Sequence, residues 1–366
     1  MKMRIAIIPG DGIGPEIMSE ALKVLKAVCS RFGHELSYDT FLAGGAAIDA
    51  FGVPMPEDTL KGCRENDAIL FGSVGGPKWD DLPWDNINGA ITPSRGIQVL
   101  RQEFQLYANL RPAKANRHLI KVAPLKPELL VNADVLVVRE QCSGLYFGEP
   151  RGIVRENGLR RGFNTESYRE DEVARVAHKA FELARTRRKK LTSIDKHNVL
   201  ESSRLWREVV IEVAGNYPDV QLDHMYADNA ALQLILNPGR FDVMVAGNIF
   251  GDILSDITAC YHGSLGMMPS ASLGDGKFAL YEPIHGTAPD IAGKNIANPV
   301  SQILSVMMML DYSFGLTREA KAVENAVDAV FEKGYRTVDL CGPEHQRVST
   351  TEMGELVCNA LVEQPG

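Results

Sequence analysis

Apolar positions along this chain follow two different spacings. Short runs rich in β-branched residues, such as RIAII near the start and AILFG at residues 68–72, have the composition of buried strands. The segment after the first run repeats apolar residues about every 3.6 positions, as at Ile17, Ala21 and Val24, which predicts a helix with one buried face. Strands that alternate with helices in this way predict an α/β protein whose sheet is at least partly parallel.

Three further short runs, at residues 134–140, 190–196 and 242–248, also predict strands that end in polar residues. Functional side chains of open α/β sheets gather at such strand ends. The segment 145–168 differs from its surroundings because short alternating runs are separated by turn residues. It predicts an extended hairpin arm, of the kind that joins subunits.

Composition and charge limit the classes of protein to consider. With 366 residues, 45% of them apolar and 23% charged, the chain has the composition of a globular protein with an ample core. A net charge of -8 argues against a nucleic-acid or acidic-membrane partner, and the basic cluster at 184–190 ends a predicted helix, where cations suit the dipole. The six cysteines lack C-x-x-C spacing, and no segment has the length of a membrane span, so we expect a cytoplasmic protein.

Three aspartates are candidate metal ligands. Asp252 and Asp256 lie four residues apart in GNIFGDILSDITA, on one face of a predicted helix, and Asp228 begins another predicted helix. Like charges at this spacing repel by roughly 0.2–0.5 kcal/mol on an open surface, whereas a divalent cation would make the pair favourable. Mg²⁺ and Mn²⁺ take oxygen ligands of this kind. The alternative is a pair of acids near a helix N-terminus, stabilised by its dipole.

The loop PGDGIGPE at residues 9–16 lies between the first predicted strand and the first predicted helix. Its glycines are spaced G-x-G-x-G, whereas a dinucleotide fingerprint needs G-x-G-x-x-G and a strand-end acid about 20 residues later. Pro15 suits the first turn of a helix. The loop therefore predicts a tight strand-to-helix turn and not a Rossmann nucleotide site.

Five further side chains suggest acid, base and anion chemistry. A guanidinium pairs bidentately with carboxylates, so Arg101, Arg111 and Arg139 near the aspartates would suit a metal-chelating polycarboxylate substrate. Lys196, at a predicted strand end, is a candidate general base, and Tyr146 a candidate acid. The alternatives are surface arginines, a solvated loop lysine, and a tyrosine of the arm or core.

The segment EPIHGTAPDIAGKNIANP at 282–299 is dense in Gly, Pro, Ala and Asn and has few large apolar side chains. It offers backbone N–H groups, the His285 ring and the Asp290 carboxylate, which suit the polar half of a nucleotide cofactor. An acid at such a position bonds a ribose diol and repels a 2′-phosphate.

Together these segments resemble the β-decarboxylating dehydrogenases, the family of isopropylmalate, isocitrate, homoisocitrate and tartrate/D-malate dehydrogenases. YANLRPAK, YFGEPRG, SIDKHNVLESSRLWREV and MYADNAALQLI are most similar to the isopropylmalate branch. The resemblance implies a bilobal α/β fold of mixed sheets and flanking helices, without a Rossmann site. Residues 1–107 and 263–366 would form the cofactor-binding lobe, and residues 108–262, with the arm at 145–168, the substrate and dimerisation lobe.

The resemblance also implies roles for the matching residues. Lys196 would be the general base and Tyr146 the general acid. The implied substrate contacts are Arg101, Arg111, Arg139, Asp228, Ser94, Ile97 and Gln98. The implied ligands of Mg²⁺ or Mn²⁺ are Asp228, Asp252 and Asp256. The implied NAD contacts are Asn198, Glu282, His285, Gly286, Ala288, Asp290, Ile291 and Asn298.

The implied assembly is a homodimer with shared active sites. In such a dimer, Lys196, Asn198 and Asp228 of one chain complete the site of its partner. No nucleic acid or membrane partner is expected.

The implied activity is NAD-dependent oxidation and decarboxylation of a 3-substituted malate, with 3-isopropylmalate of leucine biosynthesis as the leading substrate. Homoisocitrate, isocitrate and tartrate/D-malate are alternatives, as is an inactive regulatory subunit, although all the candidate catalytic residues are present. Leucine-pathway relatives usually carry P-E-x-G-L-L where this chain has Pro93, Ser94, Arg95, Gly96, Ile97 and Gln98. The substrate's 3-substituent is therefore less firmly implied than the reaction. His197 and Cys341 are smaller departures.

Overall fold

A computed structural model describes residues 1–82, 84–85 and 89–364. Its strands are β1 (Lys2–Gly10), β2 (Glu35–Thr40), β3 (Ala68–Ser73), β4 (Trp84–Asp85), β5 (Gly89–Ala90), β6 (Ala108–Lys114), β7 (Asp134–Glu140), β8 (Gly152–Glu156), β9 (Leu159–Phe163), β10 (Lys190–Asp195), β11 (Gln221–Tyr226), β12 (Val243–Ala246), β13 (Pro269–Leu273), β14 (Ala279–Pro283), β15 (Tyr335–Arg336) and β16 (Gln346–Arg347). Its α-helices are α1 (Gly14–Phe32), α2 (Gly45–Phe51), α3 (Glu57–Arg64), α4 (Pro93–Glu103), α5 (Pro127–Leu130), α6 (Glu170–Arg185), α7 (Glu201–Ala214), α8 (Ala227–Leu236), α9 (Asn248–Ile257), α10 (Val300–Tyr312), α11 (Thr317–Glu332) and α12 (Thr350–Glu363).

The chain divides into two compact units. The first comprises Met1–Leu106, Asn116–Pro124 and His262–Gly366, and the second comprises Tyr107–Ala115 and Leu125–Tyr261. The lobe boundaries expected from the sequence differ from these by one residue at each junction, and the short segment 116–124 groups with the first unit.

The first unit is built on strands in the order β13, β14, β3, β1 and β2. Strand β1 pairs in parallel with β2 and β3, while β14 is parallel to β3 and antiparallel to β13. Ile17, Ala21 and Val24 are fully buried on the inner face of α1, as the apolar spacing predicts. Helix α1 also packs against α10 and α12.

The second unit has strands in the order β11, β10, β12, β7 and β6. Strands β11, β10, β12 and β7 run parallel, and β6 is antiparallel to β7. Mixed sheets with flanking helices confirm the predicted α/β class. None of the helices in the described ranges combines the length and the apolar character of a membrane span.

The predicted hairpin arm is present in the second unit. Strands β8 and β9 pair antiparallel, with Gly152 opposite Phe163. Ile153 and Leu159 are 70% and 76% exposed, so these apolar side chains are not covered within one chain.

The Gly-rich loop forms the predicted tight turn between β1 and α1. Gly12 has a φ of +58°, and a Cβ there would lie 2.2 Å from the backbone oxygen of Thr287. Pro15 lies in the first turn of α1, where a missing N–H costs no hydrogen bond. Glycine is therefore required at position 12 by backbone geometry and by close approach, without any nucleotide.

Asp11 in this turn holds two other segments of the first unit in place. Its carboxylate, only 5% exposed, accepts N–H bonds of 2.8 Å from Gly45 and Ala46 at the start of α2. It also accepts a 2.9 Å bond from the N–H of Gly75, after β3. A buried anion is stabilised by three converging N–H donors, so this side chain has a structural explanation.

We predict that Asp11→Ala lowers the free energy of unfolding by about 2–4 kcal/mol, because one buried and two part-buried N–H groups lose a charged acceptor. Urea denaturation followed by circular dichroism measures the change. Asp39→Ala on the exposed strand β2 is the control and should change stability by less than about 0.5 kcal/mol. An Asp11→Ala midpoint equal to that of the wild type would contradict the assignment.

Candidate active site

A buried guanidinium lies at the end of strand β7. Arg139 is 2% exposed, and its Nη1 donates to Asp252 Oδ1 at 2.6 Å. Its Nη2 donates to Asn248 Oδ1 at 2.7 Å, and its Nε donates to the backbone oxygen of Asn248 at 3.0 Å. A buried charge requires such partners, since an unpaired one is strongly destabilising.

Helix α9 supplies these partners from adjacent turns. Asn248 and Asp252 are four residues apart and lie on the face that meets Arg139. A Cβ added at Gly251 would lie 2.7 Å from Cβ and Cγ of Arg139, so glycine permits this close helix-to-strand contact. Asp252 and Asp256 share a helix as predicted, but α9 has no acid in its first turn, which contradicts the alternative of N-terminal helix acids.

A second arginine from strand β6 joins the same acids. Arg111, 5% exposed, forms ion pairs of 3.1 Å with Asp252 and 3.4 Å with Asp256. It also donates to Ser255 Oγ at 2.8 Å and to Asn109 Oδ1 at 2.7 Å. Two of the three predicted arginines therefore do contact predicted metal-ligand aspartates.

The Tyr146 hydroxyl donates to Asp252 Oδ2 at 2.9 Å. Burial raises the pKa of this phenol, and the negative charge of Asp252 raises it further. The Arg139 guanidinium lies 5.5 Å from the centre of the ring. Tyr146 is therefore protonated at neutral pH and has a proton to give.

Asp256 has the properties of a carboxylate that a cation would stabilise. Its side chain is 57% exposed, yet partial burial raises its pKa, as does the nearby Asp252, while Arg111 opposes the rise. A divalent cation would offset this like-charge repulsion, so the donor set fits a hard metal ion. Within the described ranges of one chain, no three His, Cys, Asp or Glu side chains are grouped as a metal site.

Lys196 and Asp228 form a separate contact group in the second unit. Lys196 follows strand β10, and its Nζ donates to Asp228 Oδ1 at 2.7 Å. This hydrogen bond lowers the pKa of Asp228, which lies in the first turn of α8. Asn198 is exposed in the turn that follows Lys196.

The third predicted arginine belongs to the first unit. Arg101 of α4 donates to Glu282 Oε1 of β14 at 3.0 Å, and both side chains are 12% exposed. The family resemblance implied different ligands for these residues, the substrate for Arg101 and NAD for Glu282. Their contact joins the two predicted subsites through one ion pair.

The substituent-selecting segment lies at the start of α4. Ser94 is exposed, and Arg95 Nη1 reaches Gln98 Oε1 at 3.5 Å, the limit of a hydrogen bond. Ile97 is 8% exposed and belongs to a core cluster that includes Leu100. The exposed side chains of this segment are therefore polar. Ile97, which was expected to contact the substrate's 3-substituent, lies largely in the core of the first unit.

The segment 282–299 borders a cavity of about 350 Å³ in the first unit. This volume lies within the range of small-molecule sites. Five predicted cofactor residues line the cavity: His285, Gly286, Ala288, Ile291 and Asn298. Other lining residues were not predicted: Ile13, Ser264, Leu265, Gly266, Ile296 and Asp339. The predicted residues Glu282 and Asp290 are not among those that line it.

Hydrogen bonds fix the polar groups of this cavity. His285 Nδ1 donates to the Gly286 oxygen at 2.8 Å, so its Nε2 accepts from Ser301 Oγ at 2.9 Å. Burial lowers the pKa of His285, which keeps the ring neutral. Asn298 Nδ2 donates to Asp339 Oδ2 at 3.1 Å. Apolar walls with a few oriented polar groups suit a flat heterocycle.

Sequence reasoning missed three side chains, two in the arginine–aspartate site and one at the cavity. Asn248 and Ser255 lie inside the quoted motif GNIFGDILSD, but an amide and a hydroxyl gave no signal beside its aspartates. Asp339 lies in TVDL, 40 residues after the end of the segment 282–299, whose cavity it lines. Spacing alone could not pair it with Asn298.

Comparison with known proteins decides the family. The family model described as isocitrate/isopropylmalate dehydrogenase matches residues 4–357. The chain belongs to this family. The 3-isopropylmalate dehydrogenase of Aquifex aeolicus is 53% identical over 360 residues, covering 98% of this chain and 97% of that one. The 3-isopropylmalate dehydrogenase of Geobacillus kaustophilus is 54% identical over 360 residues, 98% and 96% of the two chains.

Solved structures of the isocitrate/isopropylmalate dehydrogenase family share the fold. The isocitrate dehydrogenase of Methylococcus capsulatus has a TM-score of 0.86 at 34% identity, covering 98% of this chain and 99% of that one. A β-decarboxylating dehydrogenase of Thermococcus kodakarensis has a TM-score of 0.77 at 35% identity, covering 99% and 96%. The resemblance found from motifs is thereby confirmed over nearly the whole chain.

Proposed function

We propose that this protein is an NAD-dependent decarboxylating dehydrogenase that converts 3-isopropylmalate to 4-methyl-2-oxopentanoate and CO₂ in leucine biosynthesis. Relatives of that name are 53–54% identical over 98% of the chain. The structural observation that carries the proposal is the contact of two buried arginines with two aspartates on one helix face. Anion-binding and cation-binding groups then lie side by side, as a chelating dicarboxylate requires.

Substrate carboxylates are bound in this proposal by Arg111 and Arg139, together with Arg101. A buried guanidinium has a fixed orientation and offers two parallel N–H donors to a carboxylate. The hydrogen bonds that Arg139 donates to Asn248 and that Arg111 donates to Asn109 hold these side chains before substrate arrives. Little side-chain entropy remains to be lost on binding.

The residues that would hold the metal are Asp252 and Asp256, with Asp228. When bound, Mg²⁺ or Mn²⁺ polarises the oxygen on carbon 2 of the substrate and favours loss of its proton. Within one chain, Asp252 and Asp256 are neutralised by arginine, and Asp228 by Lys196. The hydrogen bond from Lys196 lowers the pKa of Asp228, and the positive charge of Arg111 opposes the rise in the pKa of Asp256.

The residues that would hold NAD are those of the cavity beside segment 282–299, with Asp290 at the ribose. A nicotinamide cofactor held there would supply the acceptor for the hydride of carbon 2. The apolar side chains of Ile13, Leu265 and Ile291 would cover the adenine faces, and Asn298 would meet its edge.

Two side chains of the proposed site move protons. Lys196 takes the proton of the 2-hydroxyl as carbon 2 is oxidised to a ketone, which then permits the neighbouring carboxylate to leave as CO₂. Tyr146, which its raised pKa keeps protonated, gives its proton to the carbon that lost the carboxylate, and the partly exposed phenol then regains a proton from solvent. The proton on Lys196 passes to solvent, because its side chain is 28% exposed.

The active form in this proposal is a homodimer in which Lys196, Asn198 and Asp228 serve the partner's site. Apolar residues on α8 and α9 support it: Leu232, Leu236 and Ile253 are 52%, 54% and 55% exposed. The apolar arm residues add to this uncovered area. In a dimer with a two-fold axis, this apolar surface of each subunit would pack against the same surface of the other subunit.

The reaction is tested with a panel of 3-substituted malates in steady-state assays that monitor NADH. We predict the highest kcat/KM for 3-isopropylmalate, with homoisocitrate, isocitrate and D-malate at least about tenfold lower, or about 1.4 kcal/mol. A higher kcat/KM for one of these alternatives, removed by Arg95→Ala, would replace the proposed substrate. Absence of turnover with the entire panel would favour the regulatory subunit.

The metal role predicts that Asp252→Asn lowers kcat about 100-fold or more, because the developing charge loses a metal ligand worth several kcal/mol. Activity is measured as Mn²⁺ is titrated, and circular dichroism reports whether the fold is retained. Asp39→Asn on the exposed strand β2 is the matched control and should keep wild-type activity. Undiminished turnover after exhaustive chelation would rule out the metal.

Cofactor choice follows from Asp290, which is exposed and has no hydrogen-bond or ion-pair partner in the described part of the chain. Its negative charge would face the 2′-phosphate of NADP, so we predict a preference for NAD of at least about tenfold, or about 1.4 kcal/mol. Asp290→Asn should lower the ratio of kcat/KM with NAD to kcat/KM with NADP. Equal kcat/KM with NADP in the unaltered protein would refute this.

Shared sites predict complementation between two inactive variants. Lys196→Ala and Arg101→Ala homodimers should both be nearly inactive, since every site carries one defect. In a mixed dimer one site collects both defects and the other neither, so activity should recover to about half that of the wild type. Heterodimers isolated with two different affinity tags provide the measurement, and heterodimers as inactive as the parents would place Lys196 in the site of its own chain.

A further inference from the structure

The ring of Tyr226 has three neighbours of different character. Lys196 Nζ lies 5.4 Å from the ring centre and Arg207 Cζ lies 5.6 Å from it. The His197 ring is 5.4 Å away, tilted by 30°. Contacts of a cation with an aromatic face at this distance are attractive, because the face carries the negative part of the ring quadrupole.

Backbone geometry fixes the ring beside Lys196. Strands β10 and β11 pair in parallel with Asp195 opposite Tyr226, so Lys196 emerges next to the ring. Tyr226 caps the N-terminus of α8 with an extended backbone, at φ -66° and ψ 142°. Asp228 follows two residues later and accepts the ion pair of Lys196. One short turn thus presents both an aromatic face and a carboxylate to the same ammonium.

The second cation near the ring is already neutralised. Arg207 donates to both oxygens of Asp195, at 2.7 Å and 2.9 Å, and that carboxylate is fully buried. Arg207 Nη1 also lies 3.5 Å from His197 Nε2. That ring nitrogen can accept a hydrogen bond only when it carries a lone pair and no proton. Arg207 is therefore held by other groups, whereas Lys196 depends on the ring and on Asp228.

We propose that Tyr226 is a positioning residue for Lys196, and that the face of its ring stabilises the ammonium that forms when Lys196 takes the substrate proton. The role rests on the proposed function, in which Lys196 removes a substrate proton and Asp228 binds a metal. If a metal ion engaged Asp228, the Tyr226 ring would still contact the Lys196 Nζ, at 5.4 Å in the described part of the chain. A long flexible lysine then keeps one orientation rather than many.

The test replaces Tyr226 with phenylalanine and with its fluorinated forms, by incorporation of the unnatural amino acids. Fluorine withdraws charge from the ring face while shape and packing are nearly kept. Tyr226→Phe should keep kcat for 3-isopropylmalate within about twofold. The trifluoro ring should lower kcat about threefold, and the pentafluoro ring and Tyr226→Leu about tenfold or more, as cation contacts of this strength imply.

A second set of readouts separates positioning from general damage. KM for 3-isopropylmalate and the Kd for Mn²⁺ should change by less than about twofold through the series, because neither ligand touches the ring. Tyr38 is the matched control, since Lys26 Nζ lies 5.3 Å from its ring centre on the exposed strand β2. Pentafluorophenylalanine at position 38 should leave kcat unchanged.

The outcomes distinguish this role from the proposed function. If the unaltered protein turns over 3-isopropylmalate but kcat is constant across the fluorine series, Tyr226 does not position Lys196. Equal damage from Tyr226→Phe and from the pentafluoro ring would also overturn the role, because the hydroxyl would then be the essential group. An unaltered protein without dehydrogenase activity would overturn the proposed function, and this role with it.

Discussion

Burial of the Arg139 charge constrains most of the chemistry in the second unit. A guanidinium with 2% exposure cannot remain unpaired, and its partners Asn248 and Asp252 come from one face of α9. Their contact sets the register of α9 against β7. Gly251 lies between them in sequence, where a side chain would collide with Arg139. The spacing of the motif GNIFGDILSD is thus a packing requirement as well as a chemical one.

The same contacts place Asp252 among three other polar groups. Arg139 and Arg111 meet one carboxylate oxygen, and the Tyr146 hydroxyl meets the other. Each group therefore restricts the positions of the others. An array fixed before ligands bind needs little reorganisation during reaction, which is the usual source of electrostatic catalysis.

Charge balance links the candidate site to the proposed ligands. Asp228 is held by Lys196, and Asp252 and Asp256 are held by arginines, so each proposed metal ligand has a cationic partner in a single chain. Arrival of a divalent cation would release part of this positive charge toward an anionic substrate. The proposed role of Tyr226 follows the same logic, because it retains Lys196 when its carboxylate partner is engaged elsewhere.

Local pattern determined the elements of this protein. Strand β7 has the predicted bounds at residues 134–140, and the i, i+4 spacing placed Asp252 and Asp256 on one helix. The G-x-G-x-G spacing correctly predicted a turn, and alternating runs predicted the arm. These features depend on periodicity and backbone conformation, which a short stretch of sequence specifies by itself.

Only the tertiary structure decided which distant residues meet. Arg101 pairs with Glu282, 181 positions away, although the family resemblance implied different ligands for them. Asp339 joins Asn298 at the cavity, and Ile97 lies largely in the core. Asn248 and Tyr226 carry no charge that would mark them as functional, yet each contacts a candidate catalytic or binding side chain. Periodicity specifies the face on which a residue lies, whereas its partner depends on strand order and helix packing across the whole chain.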